Sequence, residues 1–279
     1  MSRLLSIVIA NYNYGRFLDD ALKSIINQKN DDIEVIVVDG GSSDNSVEII
    51  KKHEQEISWW VSEPDKGQSN AFNKGFSHAE GKYLTWLNAD DVMPAGCLRK
   101  ICAELRKGNG ADWFTGNFFR FTEDGKIVEI GYGPHWYPKI FQRRNAPLVV
   151  FGPTAFFAKQ IYKAVGGIDE SLHYAMDTDL WLKFQIAGIK QRRIRTLCWA
   201  FRMHEASKTA EFGTHRLDAG TLARLRSEVR ASYEKYHYRP SAVIRLMMYF
   251  VRIIDGSFAK RLFLGALLRR FDAKEGRFK

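Results

Sequence analysis

Four apolar runs near the start of the chain set the strongest limit on what it can fold into. They are Leu4–Ala10, Ile33–Val38, Ile57–Val61 and Tyr83–Leu87. Between them apolar residues recur at helical spacing. Leu18, Ala21, Leu22, Ile25 and Ile26 mark one helix, and others are expected over Val47–His53 and Ser69–Ala79. Strands this apolar are covered on both faces, as central strands of a parallel sheet are. The β-α-β-α-β-α-β alternation therefore predicts an α/β protein with a doubly wound, Rossmann-like, mainly parallel sheet flanked by helices.

Each run stops in a polar loop. The four loops are Asn11-Tyr12-Asn13-Tyr14-Gly15, Asp39-Gly40-Gly41-Ser42-Ser43-Asp44, Glu63-Pro64-Asp65-Lys66-Gly67 and Asn88-Ala89-Asp90-Asp91. Polar loops are common, but parallel strands deliver all four to one sheet edge, where ligands bind in such folds. The last loop sets two carboxylates side by side. Adjacent acids repel, raising one pKa unless a cation or a hydrogen-bond donor intervenes. A divalent metal carrying a phosphate ligand is one relief. Capping of the helix after Pro94 by Asp90 or Asp91 is the other, and spacing leaves both open.

After Pro94 the pattern loosens. A helix is expected over Pro94–Arg106, then extended runs at Asp112–Thr115 and Phe118–Phe121, with Asp124-Gly125 turning a hairpin into Lys126–Ile130. Gly131–Pro153, with His135, Trp136 and Tyr137, reads as an irregular, acceptor-facing excursion. Ala155–Val165 reads as a helix closed by Gly166-Gly167. Asp177-Thr178-Asp179 opens another through Ile186, and Gln191–Met203 is strand-like up to His204.

A chain of 279 residues suits one domain of about 200 residues with an appendage. The expected division is 1–210, with a nucleotide-binding half to about 93 and an acceptor half from 94, and a helical extension over 211–279. From Arg239 onward ten basic residues face three acidic ones, so +7 of the net +10 lies in this tail. Ala242–Ile254 is apolar with Arg245 and Arg252 seven apart. Phe258, Leu262, Phe263, Leu267, Leu268 and Phe271 form a second apolar set among further arginines. Basic amphipathic helices lie on anionic bilayer surfaces; packing on the catalytic domain with basic outer faces is the alternative. Basic and aromatic residues are not arranged as a groove-reading or stacking module, so no nucleic acid partner is expected. Cys97, Cys102 and Cys198 are odd in number and form no metal-type pair, which suggests reduced thiols. With no signal-peptide pattern and no membrane-spanning run, the expected location is cytoplasmic, peripheral on the inner face of the membrane.

Six segments taken in order carry a resemblance. They are Ser6–Asn13, Val37–Asp44, Ser62–Gly67, Leu87–Asp91, Gly166–Asp169 with Asp177–Trp181, and Arg202–His204. Over residues 4–208 the chain resembles an inverting family 2 glycosyltransferase of the GT-A fold, of the bacterial surface-polysaccharide type. The resemblance implies transfer of a sugar from a nucleotide-diphosphate sugar to a hydroxyl of a lipid-linked or polysaccharide acceptor, assisted by Mg²⁺ or Mn²⁺. It implies donor contacts at Ala10, Tyr12, Asp39, Asp65, Lys66, Asn88 and Asp90. Asp91 would coordinate the metal, with Asp90 toward ribose or metal and His204 toward diphosphate or metal. Hard carboxylate oxygens suit such cations. Asp177 takes the place of the catalytic base with Asp179 structural, the reverse assignment being the alternative, while Ser207 and Lys208 would support a lid over the phosphates. Two departures stand out: Gly40 where many members have a second acid, and Met176 where many have Glu. For Asp177 a helix-capping role stays open, and for His204 a structural hydrogen-bonding one. A nucleotidyltransferase would show a basic glycine-rich loop after the first strand, which Asn11–Gly15 is not. A non-catalytic nucleotide-sugar-binding scaffold of the same fold remains the other alternative.

Overall fold

The apolar runs become neighbours in one sheet because each needs both faces covered. A computed structural model describes residues 3–108, 110–133, 139–148, 150–208, 218–254, 256, 259 and 270–278. Strands β1 (Leu5–Asn11), β2 (Ile33–Asp39), β3 (Trp59–Ser62) and β4 (Tyr83–Asn88) run parallel in the order β3-β2-β1-β4. Their register pairs Asn11 with Asp39, Asp39 with Ser62, and Ala10 with Asn88. The polar loops therefore leave the sheet in a row. Helices α1 (Gly15–Ile26), α2 (Ser46–Lys52) and α3 (Gln68–His78) make the crossovers. A Cβ on Gly75 would meet Val8 at 2.4 Å, so only glycine lets α3 lie this close to β1.

Past β4 the sheet becomes mixed. Helix α4 (Cys97–Lys107) leads to β5 (Trp113–Thr122), which turns at Gly125 into antiparallel β6 (Ile127–Gly131). Strand β7 (Ala155–Ala158) fills the gap between β4 and β5, antiparallel to both, and the long β8 (Gln191–Met203) runs parallel to β5. The segment Ala155–Val165 is thus not one helix. Its first four residues are at most 2% exposed and sit between two strands, and only Lys159–Ala164 coils, as α5. So short an apolar run carries no period that separates strand from helix. Helix α4 begins three residues later than expected, behind Gly96 in a left-handed conformation (φ +74°). The third strand starts at Trp59 because Glu54–Glu56 form a 3₁₀ turn.

The C-terminal extension contributes α7 (Ala219–Lys235) and α8 (Ala242–Ile254), after α6 (Met176–Ile186). Lys235 pairs with Asp169 at 2.9 Å, and Ile244, Met248 and Val251 of α8 bury against Phe141 and Ala146. A two-stranded hairpin, β9 (Phe271–Asp272) with β10 (Arg277–Phe278), packs Phe271 against Phe119 and Phe121, and Gly276 O accepts from Ala95 N at 2.8 Å. The described parts of the tail therefore pack on the sheet domain. Phe258, Leu262, Phe263, Leu267 and Leu268, like His135, Trp136 and Tyr137, lie outside the described residues. No described helix is long and apolar enough to cross a membrane.

Candidate active site

At the carboxyl edge of β1–β4 opens a cleft of about 980 Å³. One wall consists of the strand ends themselves: Ala10, Asn11 and Tyr12 after β1, Gly40 after β2, Asp65 and Gly67 after β3, Asn88 and Asp90 after β4. The opposite wall draws on distant segments, namely Phe118 and Arg120 of β5, Phe151–Pro153, Asp177 of α6, Trp199 and Phe201 of β8, and Ser207 and Lys208 beyond it.

The paired acids after β4 do not share a role. Asp90 faces the cleft, whereas Asp91 has no exposed surface. Asp91 Oδ1 accepts from the Arg202 backbone N–H at 3.0 Å and Oδ2 from Asn88 Nδ2 at 2.8 Å. Burial first and the Asp90 charge second push its pKa well above the ordinary carboxylate range, against the pull of the Arg202 and Asn88 hydrogen bonds. Asp91 lies within the wall and ties β4 to β8, so Asp90 is the acid of the pair that lines the cleft. Neither acid caps α4, whose N-cap is Gly96. His204 also lies behind the wall, with a fully buried side chain. Its Nε2 is 3.0 Å from Asp90 Oδ2 and its Nδ1 is 3.4 Å from Arg16 Nη2. Arg16 as donor at Nδ1 leaves Nε2–H to donate to Asp90. The imidazole thus fixes the Asp90 carboxylate, and Phe17, with its ring centroid 4.5 Å away, fixes the imidazole.

Asp39 is likewise a strut. It has no exposed surface, and its oxygens accept from Asn11 Nδ2 (2.6 Å), Ser42 N (2.9 Å), Ser42 Oγ (2.5 Å) and Ser62 Oγ (2.6 Å). Burial alone would raise its pKa, and these donors more than reverse that, so the carboxylate stays charged and fully engaged. With four donors already in place it has no free oxygen for a nucleobase. Next to it, Asn11 Oδ1 is buried and accepts no hydrogen bond from the described residues. Asn88 lines the cleft, its Oδ1 accepting from Gln68 Nε2 at 2.9 Å and its Nδ2 donating to Asp91. Lys66 is exposed and lines no part of the cleft, while Ala10, Tyr12 (60% exposed) and Asp65 do line it.

Asp177 sits in the first turn of α6 and does not cap it; the N-cap is Ala175. The helix is wedged by Trp181, one turn on, whose ring stacks on Trp86 of β4 at 5.4 Å and on Trp113 of β5 at 5.6 Å. Burial raises the Asp177 pKa above the usual carboxylate value, with Thr178 and Gly152 hydrogen bonds opposing. Asp179, 1% exposed, pairs with Lys183 at 3.1 Å and is structural.

Two features escaped the sequence. Glu228 of α7 accepts from the backbone N–H groups of His173, Tyr174 and Ala175 (Tyr174 at 2.7 Å, Ala175 at 2.9 Å), capping α6 from a separate helix. Phe118, Phe151, Trp199 and Phe201 pack ring to ring along the Asp177 side of the cleft. The aromatic pattern of β5 and β8 signalled the second; no local signal announces the first.

A family model described as glycosyl transferase family 2 matches residues 6–165, more than half of the chain. The chain belongs to glycosyltransferase family 2. An uncharacterized glycosyltransferase of Nostoc sp. is 38% identical over 100 residues, covering 35% of this chain and 31% of that protein. The chain spans less than two thirds of the length of this and other similar curated relatives. Among solved structures, S. aureus TarS 1-349 in complex with UDP-GlcNAc aligns with a TM-score of 0.60 at 16% identity, over 82% of this chain and 72% of that one. Mannosyltransferase PcManGT from Pyrobaculum calidifontis, in complex with GDP-Man and Mn²⁺, also aligns with a TM-score of 0.60 at 16% identity, over 98% and 78%. These likenesses make the fold GT-A. In this family 2 glycosyltransferase the cleft between strand ends and α6 is the candidate reaction site.

Proposed function

We propose that this glycosyltransferase is inverting and metal-assisted, taking its sugar from a nucleotide-diphosphate donor. The carrying observation is the pairing of Asp90 and Asp177 across one cleft, the first braced by a buried imidazole and the second with a pKa raised by burial. The two structural neighbours, one in complex with UDP-GlcNAc and the other with GDP-Man and Mn²⁺, support the donor class.

The donor set at Asp90 fits a hard divalent cation. Among the described residues no three His, Cys, Asp or Glu side chains converge to cage an ion. Mg²⁺-type sites commonly rest on one or two carboxylates and complete their shell with substrate phosphates and water. Asp90 would supply the carboxylate, held in place by His204 as metal-binding carboxylates are held by hydrogen-bonded neighbours. When bound, the cation supplies positive charge against the leaving diphosphate. Tyr12 and Asp65, both lining the cleft, are the groups offered to the nucleobase.

Asp177 accepts the proton of the acceptor hydroxyl. The oxygen attacks the anomeric carbon from the face opposite the diphosphate, the bond to the leaving oxygen breaks, and the configuration inverts. A carboxylate in this role works best with a pKa drawn toward the working pH, which burial provides. The aromatic wall around Asp177 suits an acceptor sugar, so the acceptor is a glycan, free or lipid-linked.

A panel of nucleotide sugars read by thermal shift, with and without Mn²⁺, tests this reading, because a ligand that binds only the folded state raises Tm. One donor class should stabilise the chain in a Mn²⁺-dependent way that Asp90→Ala abolishes. A Mn²⁺-independent shift that persists in Asp90→Ala would overturn the metal assignment.

A further inference from the structure

Helix α8 has more apolar surface than the fold uses. Among the described residues ten large hydrophobic side chains are at least 40% exposed, and seven of them belong to this helix. At 100° per residue, Val243, Leu246, Met247, Phe250, Ile253 and Ile254 fall on one stripe about 120° wide. Ile244, Met248 and Val251 form a different stripe, the one seated on Phe141 and Ala146. Arg245 and Arg252 make a third sector. A contiguous exposed apolar face of this kind marks an interaction surface.

The character of the partner follows from what adjoins the helix. Phe141 belongs to a 3₁₀ turn, Lys139–Gln142. The first residue of that turn, Lys139, lines an open groove with Lys100, Lys190, Arg192 and Arg195; among the described residues its one carboxylate is Glu104, 3.5 Å from Arg192. Arg193 in the same groove turns inward to Thr115 Oγ1 and Asn117 Oδ1. A 3₁₀ turn rises about 2 Å per residue, so the two residues from Lys139 to Phe141 separate the groove's rim from the seat of α8 by only about 4 Å along the turn. An apolar stripe and a basic groove thus share one short support.

We propose that α8 and the Lys139 groove form one docking surface for an anionic lipid bilayer, the stripe entering the acyl boundary and the groove meeting the headgroups. Interfacial helices bind by buried apolar area together with attraction to anionic lipid. A second copy of the chain would cover the stripe but would bring another +10 of net charge against a groove that is already basic. This surface stands apart from the reaction proposed above and is tested without measuring activity.

The full chain is sedimented with vesicles of phosphatidylcholine alone and of equimolar phosphatidylcholine and phosphatidylglycerol. Two variants accompany it: Leu246→Glu with Phe250→Glu, and Lys100→Glu with Lys190→Glu and Arg195→Glu. All five residues are exposed, and unchanged thermal unfolding verifies that each variant folds. Binding is expected on the anionic vesicles only, lowered by salt and reduced at least about tenfold in each variant, since burying one large apolar side chain or several surface charges accounts for that much. Absence of vesicle binding, equal binding to neutral vesicles, or loss in only one variant would each overturn the two-part surface. Self-association that Leu246→Glu with Phe250→Glu dissolves, without vesicle binding, would assign the stripe to a second copy of the chain and overturn the bilayer.

Discussion

On the donor-facing wall the polar side chains spring from strand ends and are held by other strand ends. Asn11 and Ser62 hold Asp39 across neighbouring parallel strands, and Asn88 holds Asp91 within the turn that ends β4. The wall around Asp177 is put together differently: Asp177, the proposed base, is placed by a tryptophan stack through the sheet and by a carboxylate from α7, 51 positions along the chain. The first wall can be read as motifs because sheet register sets its strand ends in a row. The second depends on packing between elements far apart in sequence. Damage to the first should therefore act on donor binding, and damage to the second on turnover.

The sharpest way to break that contrast is Asp177→Asn, which removes the base and keeps the shape. Turnover should fall by about 10²–10⁴-fold while donor affinity, read by calorimetry, stays near wild type. A smaller loss is expected for Asp90→Ala, about 10²–10³-fold in transfer, scaled to loss of one preorganised electrostatic partner. Here the loss should come with a loss of Mn²⁺-dependent donor affinity. If both variants changed turnover and affinity alike, the walls would not divide the work. Glu228→Ala leaves three N–H groups at the start of α6 to solvent, so stability should drop by about 1–2 kcal/mol, the scale of a lost helix cap. Its turnover should decline several-fold with donor affinity unchanged, as steady-state kinetics would reveal. Asp39→Asn sets an amide N–H against the donors of Ser42 and Asn11, which should cost about 1–3 kcal/mol in chemical denaturation. Its effect on turnover should be the smallest of the four.

How much of this was legible follows the same line. The parallel order of β1–β4, the cleft at their ends and the candidacy of Asp90 and Asp177 came from strand patterns and short motifs, because register brings those residues together whatever the rest does. The division between Asp90 and Asp91 did not. The two acids lie in the turn after β4, where no strand period assigns a side, and only the arrival of Arg202 and His204 from β8 shows which one faces the cleft. Asp39 looked available because its four donors come from three segments of the chain. Strand β7 looked helical because its four residues carry no period. Glu228 was invisible, since a capping carboxylate borrowed from another helix leaves no mark near the helix it caps.

The central claim is that Asp177 is the base, and the pH dependence of kcat/KM tests it most directly. A base must be deprotonated to act, and burial raises the Asp177 pKa. Activity should therefore rise with pH along a limb lying above the ordinary carboxylate range, with the low-pH form inactive. In Asp177→Asn the residual activity should lose that limb. A limb that persists unchanged in the variant, or a wild-type profile flat from the carboxylate range to neutrality, would contradict Asp177 as the base.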